Sequence, residues 1–227
     1  MKHPSRTKRL LSPLLDSHPE LVFAGDRLFL KPVRNALRFI YIQEFPRHGT
    51  FHCLWSVQLL CCPADLYELG GELWTGALLP DPEGKTTFFE LPENDQSAVL
   101  CRMIEEDALR KLELYENAEQ AALHFLGSEG PNTDDPQYRF WFELVLGRFD
   151  SARAIQARHR ASWLKLAAAP WYEDKEWNDR LETVCLLFEH GQEARIATLL
   201  HEWEAITARN FRIEHLWEPT PFPFEAA

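Results

Sequence analysis

The sequence lacks the features that mark several large classes of protein. It contains no run of 18 apolar residues, so no membrane-spanning helix is expected. The basic residues 1–9 are not followed by an apolar run of secretory length, so no signal peptide is expected either. Positive charge is in deficit, because 24 Lys and Arg stand against 35 Asp and Glu and give a formal net charge of -11. This deficit argues against general binding to nucleic acid or to an anionic membrane.

Motifs that carry catalysis or bind metals are missing as well. There is no Gly-x-Ser-x-Gly, no Gly-rich phosphate loop and no pair of cysteines at zinc-ligand spacing. The five cysteines are odd in number and lie mostly in apolar runs, which indicates buried, reduced thiols in the cytoplasm. His52 and Cys53 are adjacent on a predicted strand and would face opposite sides of a sheet, which disfavours a shared ion. We therefore expect no metal and no cofactor.

The first ninety residues instead show strand patterns. In residues 50–60, Cys53, Trp55, Val57 and Leu59 alternate with the residues of the other face, which predicts a strand with one apolar face. Residues 36–43 would pair with this strand as a hairpin. Further strands are predicted on both sides of the Gly25-Asp26 turn, within residues 21–30, and at residues 85–91.

From residue 96 the hydrophobic period becomes helical. A capping box at Asn117 and Gln120 and a terminal glycine at Gly127 bound a short second helix. The polar stretch 128–136 is the best linker in the chain, and four helices with a Pro/Phe tail are predicted after it. The first helix carries a stripe at spacings of four and three that fits a helix lying on the sheet: Leu100, Ile104, Ala108, Leu112 and Tyr115.

These patterns predict an α+β protein in two domains. Residues 1–127 would form an N-terminal antiparallel sheet packed by helices, and residues 128–136 would form the linker. Residues 137–227 would form an all-helical C-terminal region of helical hairpins with helix–glycine–helix junctions at Gly147 and Gly191.

Negative charge is concentrated in one part of this chain. Residues 81–135 contain 14 Asp and Glu against 4 Lys and Arg. In a solvated helix face, Glu106 would pair with Arg102 and Arg110, four residues away on either side. The functional interpretation is a surface that attracts a protein partner with a basic surface. The candidate partner-binding residues are Glu105, Glu106, Asp107, Glu113 and Glu116.

The order of the predicted elements resembles that of a known family. A helix precedes a strand pattern over residues 23–32, a strand that ends in Gln43 and its partner strand. The segment Leu69-Gly70-Gly71-Glu72-Leu73 and then Ala108-Leu109-Arg110-Lys111-Leu112-Glu113 follow before the capped helix. This order, over about residues 8–127, resembles an uncharacterised bacterial domain-of-unknown-function family that is similar in layout to small proteins found near toxin systems. The resemblance implies immunity to a secreted toxin, and it brings no catalytic residues.

Three functions are consistent with these patterns. The first is a non-enzymatic, cytoplasmic bacterial protein that neutralises a toxin, or binds another basic protein, through its acidic residues. The second is an enzyme of unrecognised type with a cleft between the two regions, for which His52, Glu44 and Gln58 are the candidates. The third is an adaptor built on the helical hairpins. The tail with Phe222 and Phe224 would either strap across the helices or form the interface of a homodimer.

Overall fold

The computed structural model describes residues 6–25, 27–45, 50–62, 75–78, 93–127, 135–168 and 175–226. The strands are β1 Leu21–Ala24, β2 Arg27–Leu30, β3 Ala36–Phe45, β4 Thr50–Leu59 and β5 Thr75–Leu78. The α-helices are α1 Arg6–Leu10, α2 Ser12–Ser17, α3 Glu93–Met103, α4 Arg110–Leu112, α5 Ala118–Gly127, α6 Pro136–Val145, α7 Phe149–Ala167, α8 Lys175–Glu189 and α9 Ile196–Asn210. A π-helical turn, Ile104–Leu109, joins α3 to α4, and 3-10 turns occur at Glu113–Tyr115, Glu193–Arg195 and Pro223–Glu225. The predicted α+β layout, a sheet followed by helices, is confirmed.

The strands form one antiparallel meander in the order β1-β2-β3-β4-β5. The two hairpins expected from the sequence are present, with β1 paired to β2 after Gly25 and β3 paired to β4 from Ala36 opposite Leu59 to Phe45 opposite Thr50. β5 pairs with β4 and is not among the predicted strands, because Thr-Gly-Ala-Leu has too little alternation to be recognised. The strand predicted at residues 85–91 lies outside the described residues.

One face of the sheet is covered by the helices that follow it. Cys53, Trp55, Val57 and Leu59 are all buried there, as the alternation in β4 predicts. The predicted helical stripe is buried in the same apolar cluster, which confirms the helix on the sheet. Its members are Leu100, Ile104, Ala108, Leu112 and Tyr115.

The opposite face of the sheet is covered by the end of the chain. Phe211, which follows α9, lies with its ring centroid 6.2 Å from those of Phe29 on β2 and Phe39 on β3. Arg27 of β2 is buried beside them, with its guanidinium 5.2 to 5.6 Å from the ring centroids of Phe39, Tyr41 and Phe211. The three aromatic rings stabilise this buried cation.

The acidic residues Glu105 and Glu106 lie in the π-helical turn. Because π-helical hydrogen bonds join residues five apart, the turn contains one residue more than an α-helical turn. The predicted pairing of Glu106 with Arg102 and Arg110 is wrong, since no such ion pair forms among the described residues.

Two tight turns join the C-terminal helices, α6 to α7 and α8 to α9. Gly147 and Gly191 end α6 and α8 with φ of +70° and +63°. At both positions the glycine N–H donates to the carbonyl three residues back and the next N–H to the carbonyl five residues back, a Schellman motif. The predicted helix–glycine–helix junctions are confirmed. Within the described ranges, no helix is both long and apolar enough to cross a membrane.

A single apolar cluster contains residues from both sides of the polar stretch 128–136. Phe125 at the end of α5 stacks on Phe142 of α6, with ring centroids 4.2 Å apart. Trp141 of α6 is fully buried in the cluster that also contains the strand residues. The division into two domains at this stretch stays a prediction, but its two sides share one core in the described structure.

Residues 211–226, the C-terminal segment, pass from the sheet back to the helices. Trp217 forms an isolated parallel bridge with Val33, which lies in the loop between β2 and β3. Phe222 is fully buried, and the Phe224 ring centroid lies 5.2 Å from that of Phe149. The segment therefore straps across the molecule, which is one of the two arrangements expected for the tail. The homodimer stays a prediction.

Candidate functional site

A cleft of about 740 Å³ lies between the sheet and the helical residues 105–116. Three of the five predicted partner-binding residues meet there, namely Glu105, Glu113 and Glu116. Glu106 and Asp107 belong to the same helical stretch but do not line the cleft. The remaining lining residues are His18, Glu20, Leu30, Lys31, Pro32, Arg38, Leu109 and Arg110.

Cations from this chain neutralise three of the five predicted acidic residues. These ion pairs join Glu105 Oε1 to His18 Nε2 at 3.2 Å, Asp107 Oδ1 to Lys111 Nζ at 2.7 Å, and Glu116 Oε1 to Arg34 Nη1 at 2.6 Å. Glu106 and Glu113 form no ion pair within the part of the chain that the structure describes. The predicted acidic surface is therefore partly paired internally.

His18 bridges two carboxylates at the edge of the cleft. Its Nδ1 lies 2.8 Å from Glu20 Oε1, on the side opposite Glu105. The hydrogen bond with Glu20 is the largest cause of the raised pKa of His18, and the one with Glu105 adds to it. The pKa of Glu20 is lowered by its own backbone N–H and by His18. Both shifts favour the ionised pair, so His18 offsets negative charge at this edge.

Arg38 of β3 is the most buried charged residue that lines the cleft. Its Nη1 donates to the Leu112 carbonyl at 3.4 Å, and its Nη2 to the carbonyls of Lys31 and Pro32 at 3.4 and 3.3 Å. These distances exceed the usual range of about 2.7–3.2 Å, and Nε has no hydrogen-bond partner. Burial lowers the pKa of Arg38, although Glu116 opposes this effect. No carboxylate of the described residues forms an ion pair with it.

The unpaired charge in the cleft is mainly positive. Lys31 and Arg110 join Arg38 as cations without an ion pair in the described structure, and Glu113 is the corresponding carboxylate. Sequence reasoning missed these cations because it considered the acidic stretch alone. One signal was available, since Arg38 interrupts the apolar strand residues 36–42 on the face that carries the buried Ile40.

The residues predicted for the enzymatic alternative do not converge. In the strand register His52 is opposite Gln43, whereas Glu44 is opposite Phe51. Gln58 lies six residues beyond His52 along β4, a distance of about 20 Å. Gln58 is buried and donates to the Cys62 carbonyl at 3.4 Å. Across the described residues, no three His, Cys, Asp or Glu side chains are grouped so that they could hold a metal ion.

A second groove, of about 550 Å³, lies between α7 and α8. Arg160 lines it and forms ion pairs with Glu182 and Glu189 of α8. Arg153, about two turns earlier on α7, lines the groove and forms an ion pair with Glu193. Because these cations are paired within the chain, they hold neighbouring elements together. The groove is where an adaptor function would be placed.

His201 of α9 links that helix to the C-terminal segment. Its Nδ1 lies 2.7 Å from Oε2 of the fully buried Glu204, and its Nε2 lies 2.9 Å from Glu225 Oε2. The hydrogen bond with Glu204 is the main reason why the pKa of His201 rises to about 9. Glu225 also accepts a hydrogen bond from the Phe222 N–H at 2.7 Å. This cluster anchors the strap.

Comparisons of the chain with protein-family models, curated proteins and solved structures found no match. The resemblance to an uncharacterised bacterial family, and the immunity role that it implies, rest on the order of elements in the sequence. Function has to be inferred from the cleft and from the helical surface beside it.

Proposed function

We propose that this chain is a non-enzymatic, cytoplasmic bacterial protein that binds another protein, and that it serves as an immunity protein against a toxin. Its partner surface is the acidic wall, defined as Glu105, Glu106, Asp107, Glu113 and Glu116 with the adjacent Leu114. Its partner has a basic surface that this wall covers.

An exposed apolar side chain among unpaired carboxylates carries the proposal. Leu114 is 60% exposed, more than any other large hydrophobic residue in the described structure. Glu113 beside it and Glu106 on the π-helical turn are exposed and have no ion pair among the described residues. Protein interfaces combine apolar anchors with a polar rim, and the charged rim steers the approach of an oppositely charged partner.

In this mechanism the acidic wall inhibits its partner by covering the partner's basic surface. Leu114 enters an apolar depression on the partner while Glu106 and Glu113 contact its lysines or arginines. A toxin that acts on an anionic substrate needs a basic groove, and a bound acidic wall excludes the substrate from that groove. The rigid core beneath the wall favours this mode because little ordering is required on binding.

The proteins encoded by the genes adjoining the gene of this chain are the partners to test. We expect one of them to bind the purified chain in isothermal titration calorimetry, with an affinity that falls as salt is raised. Replacing both Glu106→Lys and Glu113→Lys should weaken binding by at least about tenfold. Co-expression of the chain should relieve the toxicity of the same partner.

The matched control is the double variant Glu202→Lys with Glu214→Lys. Both residues are exposed, and the change in net charge is identical. Binding that survives the wall variant unchanged, or that the control weakens equally, would contradict the proposal. Failure of every adjoining gene product to bind would contradict it as well.

A further inference from the structure

The cleft contains three cationic side chains that form no ion pair in the described structure. These side chains are Arg38, Lys31 and Arg110. Among the described carboxylates that line the cleft, Glu113 alone also forms no ion pair. We propose that the cleft binds a small organic oxyanion, a carboxylate or a phosphate ester, whose oxygens contact the Arg38 guanidinium. This site needs no protein partner, although Glu105, Glu113 and Glu116 belong both to its lining and to the acidic wall.

The surroundings of Arg38 carry this inference. A buried cation is costly unless a counter-charge or hydrogen bonds compensate for the lost water. The other arginines compared above are compensated, since Arg27 lies among three aromatic rings and Arg160 pairs with two glutamates. Arg38 has only long contacts to carbonyls, and its Nε–H is unpaired. An oxyanion accepts two parallel hydrogen bonds from a guanidinium and supplies the missing charge.

The remaining lining defines the class of ligand. A volume of about 740 Å³ is far larger than a lone ion and falls in the range of small-molecule sites. Leu30 and Leu109 give the cleft an apolar wall, so the ligand has an apolar part beside its anionic group. Glu113 on the rim disfavours polyanions. We therefore assign one or two negative charges to the ligand.

Succinate, phenyl phosphate and inorganic phosphate are suitable probes, each compared with sodium chloride at equal ionic strength. Thermal unfolding of the full chain should show a rise in Tm of about 5 °C at saturating probe, because binding to the folded state stabilises it. A response to succinate alone identifies a carboxylate ligand. A response to phenyl phosphate identifies a phosphate ester, and titration calorimetry of the same probes gives the affinity.

Two variants test the assignment to these residues. Arg38→Lys keeps the charge but removes the planar fork, and it should weaken binding by at least about tenfold. The double variant Lys31→Ala with Arg110→Ala changes side chains that are not buried, so it preserves the fold and should remove most of the Tm shift. Arg139→Ala, an exposed arginine of α6 outside the cleft, is the matched control and should keep the full shift.

Three results would overturn the proposal. The first is the absence of any Tm shift beyond that of sodium chloride with all three probes. The second is a full shift in the Lys31→Ala with Arg110→Ala variant. The third is an equal loss in the Arg139→Ala control. The acidic wall is tested separately by protein binding, because Glu106 and Leu114 do not line the cleft although Glu105, Glu113 and Glu116 do.

Discussion

Arg27 and Arg38 lie in adjacent strands of one sheet and are 2% and 4% exposed, yet their surroundings are opposite. On one face, Phe211 of the C-terminal segment closes over Arg27 and completes a set of three aromatic rings. On the other face, the helical residues 105–116 leave a cleft beside Arg38. The first cation is enclosed by aromatic rings of the chain itself, and the second has only long contacts to backbone carbonyls.

This difference indicates that the two buried charges have different roles. Where the fold places aromatic rings or carboxylates of the chain against the charge, as around Arg27 and in the His201 cluster, the charge helps to hold the C-terminal segment. Where partners are missing, as around Arg38, the charge is available to a ligand. Removing Arg27 or the ring that covers it should therefore lower the free energy of unfolding. Removing the charge of Arg38 should change it little or raise it.

The largest effect is expected on the enclosed face. Phe211→Ala should lower the free energy of unfolding by about 3–5 kcal/mol, because it removes a buried ring that contacts Phe29, Phe39 and Arg27. Urea denaturation measures this loss. Leu114→Ala removes an exposed apolar side chain and should change stability by less than about 0.5 kcal/mol. Similar losses in the two variants would show that the segment does not cover this face.

A smaller effect is expected where the end of the segment packs on the helices. A Cβ at Gly147 would lie 2.4 Å from Phe224 Cβ, whereas a Cβ at Gly191 would meet nothing within 4 Å. Both glycines have positive φ, so alanine costs about 1–2 kcal/mol at either position. Gly147→Ala should cost about 1–3 kcal/mol more than Gly191→Ala because Phe224 is displaced. Equal losses in thermal unfolding would refute this anchor.

The His201 cluster makes the strap dependent on pH. Because the folded pKa of His201 is about 9 and its ordinary value is 6.5, the protonated ring stabilises the folded state. This contribution is complete below about pH 6.5 and is lost as the pH rises through 9. Between pH 6.5 and 9.5 the loss should be about 1–2 kcal/mol, since solvent screens the partly exposed ring.

The control for this titration is His201→Gln, which keeps a hydrogen-bonding side chain beside Glu204 and Glu225 without the titrating charge. The difference in unfolding free energy between the two proteins should shrink across this pH range. A difference that stays constant with pH would exclude His201 as the group responsible.

The smallest effect is expected in the cleft. Arg38→Met replaces an unpaired buried cation by an apolar side chain and should change the free energy of unfolding by less than about 1 kcal/mol, or raise it. Arg27→Met loses the contacts with three rings and should cost about 2 kcal/mol. If the two variants lost equal stability in urea denaturation, the contrast between the two faces would be wrong.

Local signals account for the parts of the fold that could be predicted. Alternation in residues 50–60 identified the faces of β4, and the cap of α5 is confirmed by the Asn117 Oδ1 that accepts from the Gln120 N–H at 3.0 Å. The π-helical turn could not be predicted, because the stripe that passes through Ile104 and Ala108 has ordinary helical spacing.

The features of the site that could not be predicted are mostly ion pairs and contacts between residues far apart in the sequence. Glu105 and Glu116 looked like an unpaired acidic surface, but their partners His18 and Arg34 are 87 and 82 residues away in the chain. The cover over Arg27 likewise comes from the opposite end of the sequence. The charge density along the chain drew attention to the acidic residues 105–116, but it predicted neither the cleft beside them nor the sign of the charge left unpaired there.

The most direct measurement of the central claim is an NMR titration of the arginine Nε–Hε resonances with succinate and with phenyl phosphate. Arg38 reports on the cleft, and Arg27 is the internal control in the same sample. The Arg38 resonance should shift and saturate with at least one probe, while the Arg27 resonance stays in place. An Arg38 resonance that does not respond to either probe, or that moves no more than that of Arg27, would contradict the assignment of the cleft as an oxyanion site.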